Sequence, residues 1–226
     1  MLHARQVFIT GGTGYMGSRL AAELVRRGHR VRALVRPGSE ARVPPGVIPV
    51  SGDALEEATY ADRVAPADTF VHLVGVPHPR PAKAELFRTV DLASARAAVA
   101  AAAAAHVRHF VYVSVAHPAP VMRAYWEARL EAEKLITQAS LNATILRPWY
   151  VLGPGHRWPV VLLPLYWIAS LVPMTRNGAR RLGLVTLEQM ITALIYAVEH
   201  PIEGIRTVSV RKIRAGGVIE AAQHTK

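Results

Sequence analysis

Val7-Phe8-Ile9-Thr10-Gly11-Gly12-Thr13-Gly14-Tyr15-Met16-Gly17 is the stretch that decides how this chain folds. A short apolar run ends at Thr10, glycines follow at 11, 12, 14 and 17, and residues 15–27 then read as an amphipathic helix. Gly12, Gly14 and Gly17 fit the G-x-G-x-x-G spacing, and Gly11, Gly14 and Gly17 fit its G-x-x-G-x-x-G variant. Between a first strand and a first helix, such glycines allow a tight turn and a backbone bare enough for a pyrophosphate to approach. The helix N-terminus adds amide donors and the positive end of its dipole. A glycine turn without a ligand is the competing reading, and the flanking strand and helix favour the dinucleotide one.

Working outward, apolar runs at 31–35, 47–50, 69–74, 109–114 and 143–147 read as further strands. Being continuously apolar rather than alternating, they suit strands covered on both faces. Between them, 54–64, 84–105 and 123–139 read as helices. This βαβα alternation predicts an α/β fold, a doubly wound parallel sheet. After Arg147 prolines and glycines break the pattern until Thr186-Leu-Glu-Gln189, a capping-box signature opening a helix to about His200. A last strand is expected at 206–210, followed by a polar tail. Residues 1–150 are thus expected to form the dinucleotide-binding core, with 151–226 a short substrate-side segment packed on it.

Composition narrows the classes. The chain has 226 residues, 51% of them apolar and 19% charged, enough for a core and against disorder. With no cysteine, disulfides, thiolate metal sites and cysteine nucleophiles are excluded. The formal charge of +11 comes from arginines scattered along the chain, with no run of five or six like charges. No specific nucleic-acid partner is expected; the charge favours small anionic ligands. Ten histidines form no H-E-x-x-H or comparable pairing, so no metal is expected. The first apolar run is too short for a signal-peptide core, and a cytoplasmic location is expected.

At the end of the second strand, where an acid would hold the 2′-hydroxyl of NAD, stands Arg36. A guanidinium there suits the 2′-phosphate of NADP(H), with Thr13 offering a hydroxyl beside it. A plain surface arginine is the other reading.

Taken with these motifs, the chain resembles an atypical or extended short-chain dehydrogenase/reductase, a superfamily of Rossmann-like NAD(P)-binding proteins, over about residues 5–210. The nearest likeness is to its NmrA-like members and to relatives of the 39-kDa subunit of complex I. The loop from Gly11 to Gly17, including Tyr15 and Met16, resembles its opening motif. Gly52-Asp53-Ala54 is similar to its adenine-contacting acidic position, and Leu73-Val74-Gly75 to the turn lying under the cofactor. Thr144-Ile-Leu-Arg-Pro148 resembles the stretch closing over the nicotinamide. The resemblance implies a catalytic set of Ser114, Tyr125 and Arg129. Ser114 would hold a substrate oxygen by a hydrogen bond, and Tyr125 would protonate it as it gains charge. An unperturbed tyrosine, with a pKa near ~10, needs a neighbouring cation for such chemistry. Tyr125 and Arg129, four apart, share a helix face.

Three features depart from the family pattern. Arg129 stands where the family has Lys; it can supply the field and hold ribose hydroxyls, but cannot relay a proton. Asp91 stands where relatives commonly carry Asn, and the C-terminal part is short. The resemblance therefore implies an NADP(H)-dependent oxidoreductase reducing a carbonyl or activated alkene. The alternative is a non-catalytic NADP(H)-binding sensor or assembly protein. Residues 158–175 carry no charge. They read as a pocket lid implying a small hydrophobic substrate, as a dimer surface, or as a peripheral membrane contact. Trp149, His156 and Trp158 are the candidate substrate contacts, and a homodimer is implied by analogy alone.

Overall fold

The computed structural model describes residues 4–117, 122–154 and 183–216. Nine strands lie among them, β1 (Gln6–Thr10), β2 (Arg30–Val35), β3 (Ile48–Ser51), β4 (Thr69–His72), β5 (His109–Val113), β6 (Ala143–Arg147), β7 (Tyr150–Leu152), β8 (Leu184–Thr186) and β9 (Ile205–Ser209). Seven form one sheet ordered β3-β2-β1-β4-β5-β6-β9, and every neighbouring pair is parallel. β7 and β8 make a separate parallel pair. The helices are α1 (Gly17–Arg26), α2 (Ala84–Leu86), α3 (Ala93–Ala104), α4 (Arg123–Gln138), α5 (Leu187–Glu199) and α6 (Val210–Arg214). The chain therefore folds as the doubly wound parallel sheet that its sequence predicts.

The central strands β1, β4, β5 and β6 bury both faces because their side chains alternate between two cores. On one side Val7, Ile9, Val31 and Val111 meet Leu20, Ala21 and Leu24 of α1 and Met190, Ala193 and Leu194 of α5. On the other side Phe8, Phe70 and Phe110, in register on β1, β4 and β5, stack in a row with centroids 5.3 Å apart. Such aromatic pairs contribute about 0.5–1.5 kcal/mol each beyond their buried area. The buried face of α3 is made of Ala95, Ala98, Ala101 and Ala102, small enough for the helix to lie close over that row.

Three sequence expectations change. Residues 54–64 are not an α-helix but two 3₁₀ turns, Glu57–Thr59 and Ala61–Arg63. The Thr59 hydroxyl accepts from the Asp53 amide at 2.9 Å, and Asp53 Oδ1 accepts from the Leu55 amide at 2.9 Å. These side chains satisfy backbone groups that a helix would otherwise pair. Residues 84–105 are helical but not uniform: a π-helical turn, Phe87–Leu92, joins α2 to α3. The last strand ends one residue earlier than expected, and Val210 opens α6 with Val210 and Ile213 buried. No helix among the described residues is long and apolar enough to cross a membrane.

The capping box is present at α5: the Gln189 amide donates to Thr186 Oγ1 at 3.1 Å, and the Thr186 amide donates to Gln189 Oε1 at 2.9 Å. Because α5 closes one core, its start bears on the whole fold. Thr186→Ala is expected to cost about 0.5–2 kcal/mol. For a chain of this size that is a fall of about 2–4 °C per kcal/mol in the thermal midpoint, read by calorimetry.

Candidate functional site

The strand order reverses between β1 and β4, so the helices on either side leave a crevice at the strands' C-terminal ends, where open α/β sheets bind ligands. A groove of about 600 Å³ lies there. Its floor is Gly11, Thr13 and Gly14 with Leu73, Val74 and Gly75; its far end is Leu34, Val35, Arg36, Gly52, Asp53 and Ala54. Val76, Pro77, Lys83, Leu86 and Val90 close one side. Gly11 takes a left-handed φ of +78°, and the Gly14 amide turns back to the Gly11 carbonyl at 3.0 Å. A Cβ on Gly17 would overlap that same carbonyl, and one on Gly12 would stand 2.6 Å from the Ala33 Cβ. The motif's glycines thus divide their work: Gly12 and Gly17 bring loop, helix and strand together, while Gly11 and Gly14 leave the groove floor bare. Arg36 is exposed at the rim, and Asp53 faces the same space. A floor that is half glycine and a cation at the far end fit a dinucleotide.

A second cluster sits at the ends of β5 and α4. Ser114 follows β5, and its main-chain amide donates to the Leu146 carbonyl at 2.8 Å. It is 2% exposed, and its Oγ has no hydrogen-bond partner among the described residues. Arg129, on α4, donates from Nη1 to the Val113 carbonyl at 2.9 Å, tying its helix to the residue before Ser114. Its Nη2 donates to Asp91 Oδ1 in a buried ion pair. The guanidinium carbon lies 5.3 Å from the Tyr125 ring centre and 5.8 Å from that of Tyr112. Burial works against the Arg129 charge, yet the facing Tyr125, Tyr112 and Asp91 groups outweigh it and hold the guanidinium above its ordinary pKa. Burial pushes the Asp91 carboxyl up, with Arg129 and the Val76 amide pulling the other way. Tyr112 is pushed up to about 12, chiefly by burial. Half-buried Tyr125 also takes the edge of Phe87 at 5.1 Å.

Residues 11–157 match the family described as NAD(P)H-binding. The chain belongs to that family. A ceramide reductase of Caulobacter vibrioides is 31% identical over 90% of this chain and 64% of its own length. A 4-hydroxy-2-methyl-3-oxo-4-farnesyl-3,4-dihydroquinoline-1-oxide ketoreductase of Stigmatella aurantiaca is 29% identical over 66% of this chain and 51% of its own length. The chain thus spans less than two thirds of either relative. Among solved structures, the Bordetella bronchiseptica enzyme WbmH in complex with NAD+ superposes with a TM-score of 0.69 at 23% identity, over 92% of this chain and 76% of that one. A UDP-galactose 4-epimerase gives 0.68 at 17% identity, over 90% and 76%. The chain shares the fold of these solved structures.

Within this NAD(P)H-binding fold, the residues singled out from the sequence, apart from Ser114, Tyr125 and Arg129 of the second cluster, fall into three places. Gly11, Thr13, Gly14, Arg36, Asp53, Ala54, Val74 and Gly75 line the groove. Gly12, Tyr15, Met16, Gly17 and Pro148 are not among its lining residues. Met16 packs on the core beside α1, the Pro148 carbonyl accepts the Ala116 amide at 2.8 Å, and Tyr15 lies against Gly153, whose Cβ would overlap its hydroxyl. Trp149 packs on the same core as Met16. His156, Trp158 and the stretch 158–175 lie outside the described residues. Among the described residues there is no group of three or more side chains able to hold a metal ion.

Sequence reasoning missed Lys83, Leu86 and Val90, which carry no motif. It also missed a buried polar chain running from the end of β1 to Asp91 of the cluster. Thr10 Oγ1 lies 2.7 Å from His72 Nδ1, His72 Nε2 lies 3.5 Å from Ser94 Oγ, and Ser94 donates to the Asp91 carbonyl at 3.2 Å. Burial, reinforced by Arg129, drives the His72 pKa down to about 3, and burial takes His109 down to about 4. Both rings are neutral in the fold but titrate near ~6.5 once unfolded. Their contribution is therefore whole above that pH and is lost as pH falls from about 6.5 toward 3 for His72 and toward 4 for His109, by up to about 1.4 kcal/mol per unit each. Denaturant melts at pH 7, 5.5 and 4.5 should show this acid limb, and His72→Asn should flatten it.

Proposed function

We propose that this protein is an NADP(H)-dependent oxidoreductase of the short-chain type that reduces a carbonyl, or an activated alkene, of a small hydrophobic substrate. The observation that carries the reading is the tie from Arg129 to the Val113 carbonyl. Through it α4, which carries Tyr125, is tied to the residue before Ser114, a buried serine whose hydroxyl has no partner among the described residues. A serine oxygen left unpaired inside a protein is costly unless a ligand completes it. In this role Ser114 orients the substrate oxygen, Tyr125 delivers a proton to it, and Arg129 provides the positive field that favours charge developing there. The nicotinamide, when bound, supplies the hydride. Arg36 favours NADP(H), since a guanidinium pairs with a 2′-phosphate and gains nothing from a bare ribose hydroxyl. An apolar substrate is supported by the relatives named for ceramide and for a farnesyl-bearing quinoline oxide, and by the uncharged stretch 158–175. A cytoplasmic location and a homodimer belong to the same proposal.

One observation favours the second reading, a non-catalytic NADP(H)-binding sensor. Both terminal nitrogens of Arg129 already have protein partners, so its fork is not held open for a ribose.

Fluorescence titration should show NADPH binding more tightly than NADH, with Arg36→Ala weakening NADPH by about tenfold or more (about 1.4 kcal/mol) and leaving NADH little changed. Equal loss for both nucleotides would sink the phosphate assignment. In NADPH oxidation with a panel of hydrophobic ketones and enones, Tyr125→Phe should lose about 10²–10⁴-fold in kcat while keeping NADPH affinity. Unchanged turnover in that variant would overturn the role given to Tyr125, and no turnover of any of these ketones and enones by the parent protein would leave the sensor reading standing.

A further inference from the structure

The two positions at which the chain departs from the family pattern in its catalytic region, 91 and 129, are partners in space. Arg129 in place of Lys and Asp91 in place of Asn form one buried pair, their side chains 7% and 1% exposed. We propose that Asp91 is a positioning residue for Arg129, and that the pair, rather than the guanidinium by itself, sets where positive charge stands beside Tyr125. The turnover consequence rests on the oxidoreductase reading; the positioning does not.

Four features carry this. The guanidinium is held at two points, by the Val113 carbonyl and by Asp91, so its plane is fixed and not only its distance. Asp91 is itself fixed, because its other oxygen accepts the Val76 amide at 3.0 Å. Gly75 leaves the room: a Cβ there would overlap Arg129 Nη2 and stand 3.3 Å from Asp91 Oδ1. Finally, the π-helical turn spaces Phe87 and Asp91 so that both are buried toward α4, Phe87 against Tyr125 and Asp91 against Arg129. Two pairs, each four residues apart, therefore face one another. Bulges of this kind commonly mark functional positions.

The chemistry of the two cations explains why the departures belong together. A guanidinium has separate nitrogens for a carbonyl and a carboxylate at once, whereas an ammonium is a single point charge on a flexible stem. Lysine at 129 opposite Asp91 would be drawn onto the carboxylate and away from the Tyr125 ring. Asparagine opposite lysine exerts no such pull. Restoring the family's lysine should therefore fail unless position 91 changes with it.

The test uses the full chain, labelled with 15N-arginine. In proton–nitrogen spectra, Arg129 should give separately resolved, slowly rotating Nη signals, identified by their absence from Arg129→Lys. Asp91→Asn should collapse them. If that variant does not fold, Gly75→Ala, which keeps both charges and presses on Nη2, should displace the same signals. Nη signals unaltered in whichever variant folds would overturn the proposal. In the NADPH assay, Arg129→Lys and Asp91→Asn should each lose about tenfold or more in kcat (about 1.4 kcal/mol of barrier) with KM little changed. The double variant should recover most of that loss. A double variant as slow as the product of the two single losses would overturn the catalytic part. If the parent protein turns over nothing in the panel, it is the oxidoreductase reading that falls, and the spectra alone decide the positioning.

Discussion

A guanidinium shut away from water at the end of a parallel sheet has to be compensated, and much of the local architecture follows from that one charge. Burying an ion is costly, and a buried pair rarely stabilises a fold beyond what apolar side chains of the same shape would. Once present, however, it cannot lose one member cheaply: the stranded charge costs about 3–5 kcal/mol. Val113 contributes a carbonyl, Asp91 a carboxylate and Gly75 the absence of a side chain, each from a different element. The backbone of the β4 connection is thereby stitched to the helix that carries Tyr125. What the arrangement gains is definition: one orientation of one charge.

The sheet was open to reading because its strands are short apolar runs covered on both faces, which no other element of the same length needs. The glycine loop was equally plain, since each glycine answers a steric demand: overlap with the Gly11 carbonyl at 17 and the approach of Ala33 at 12. The region after β3 was not. Residues 54–64 have helix-compatible composition, and what diverts them is a set of side-chain bonds between Asp53, Leu55 and Thr59 whose geometry no periodicity announces. The β7–β8 pair escaped notice for a different reason, its two strands being three residues each and separated by more than thirty positions.

At the site, the one-dimensional signal was split. Arg129 and Asp91 each stood out as departures from a pattern, but their relation did not, because they stand 38 positions apart and only the fold brings them together. The His72 chain had still less to show. A histidine in a strand looks like a ligand or a curiosity until its neighbours on β1 and α3, Thr10 and Ser94, are seen on either side of it.

The place of β9 has a consequence for how the chain is made. The strands and turns that line the groove are complete by residue 90, and β6 by residue 147. The outer partner of β6 is β9, at 205–209, and the face beside α1 is covered by α5, at 187–199. During synthesis from the N-terminus, the part of the chain that lines the groove therefore emerges with one sheet edge unpaired and one apolar face bare. It stays so until at least 50 more residues have left the ribosome. At about 5–20 residues per second, that interval is several seconds. An exposed strand edge and a bare valine- and isoleucine-lined surface invite association, so the elements that protect this sheet are the last of it to be made.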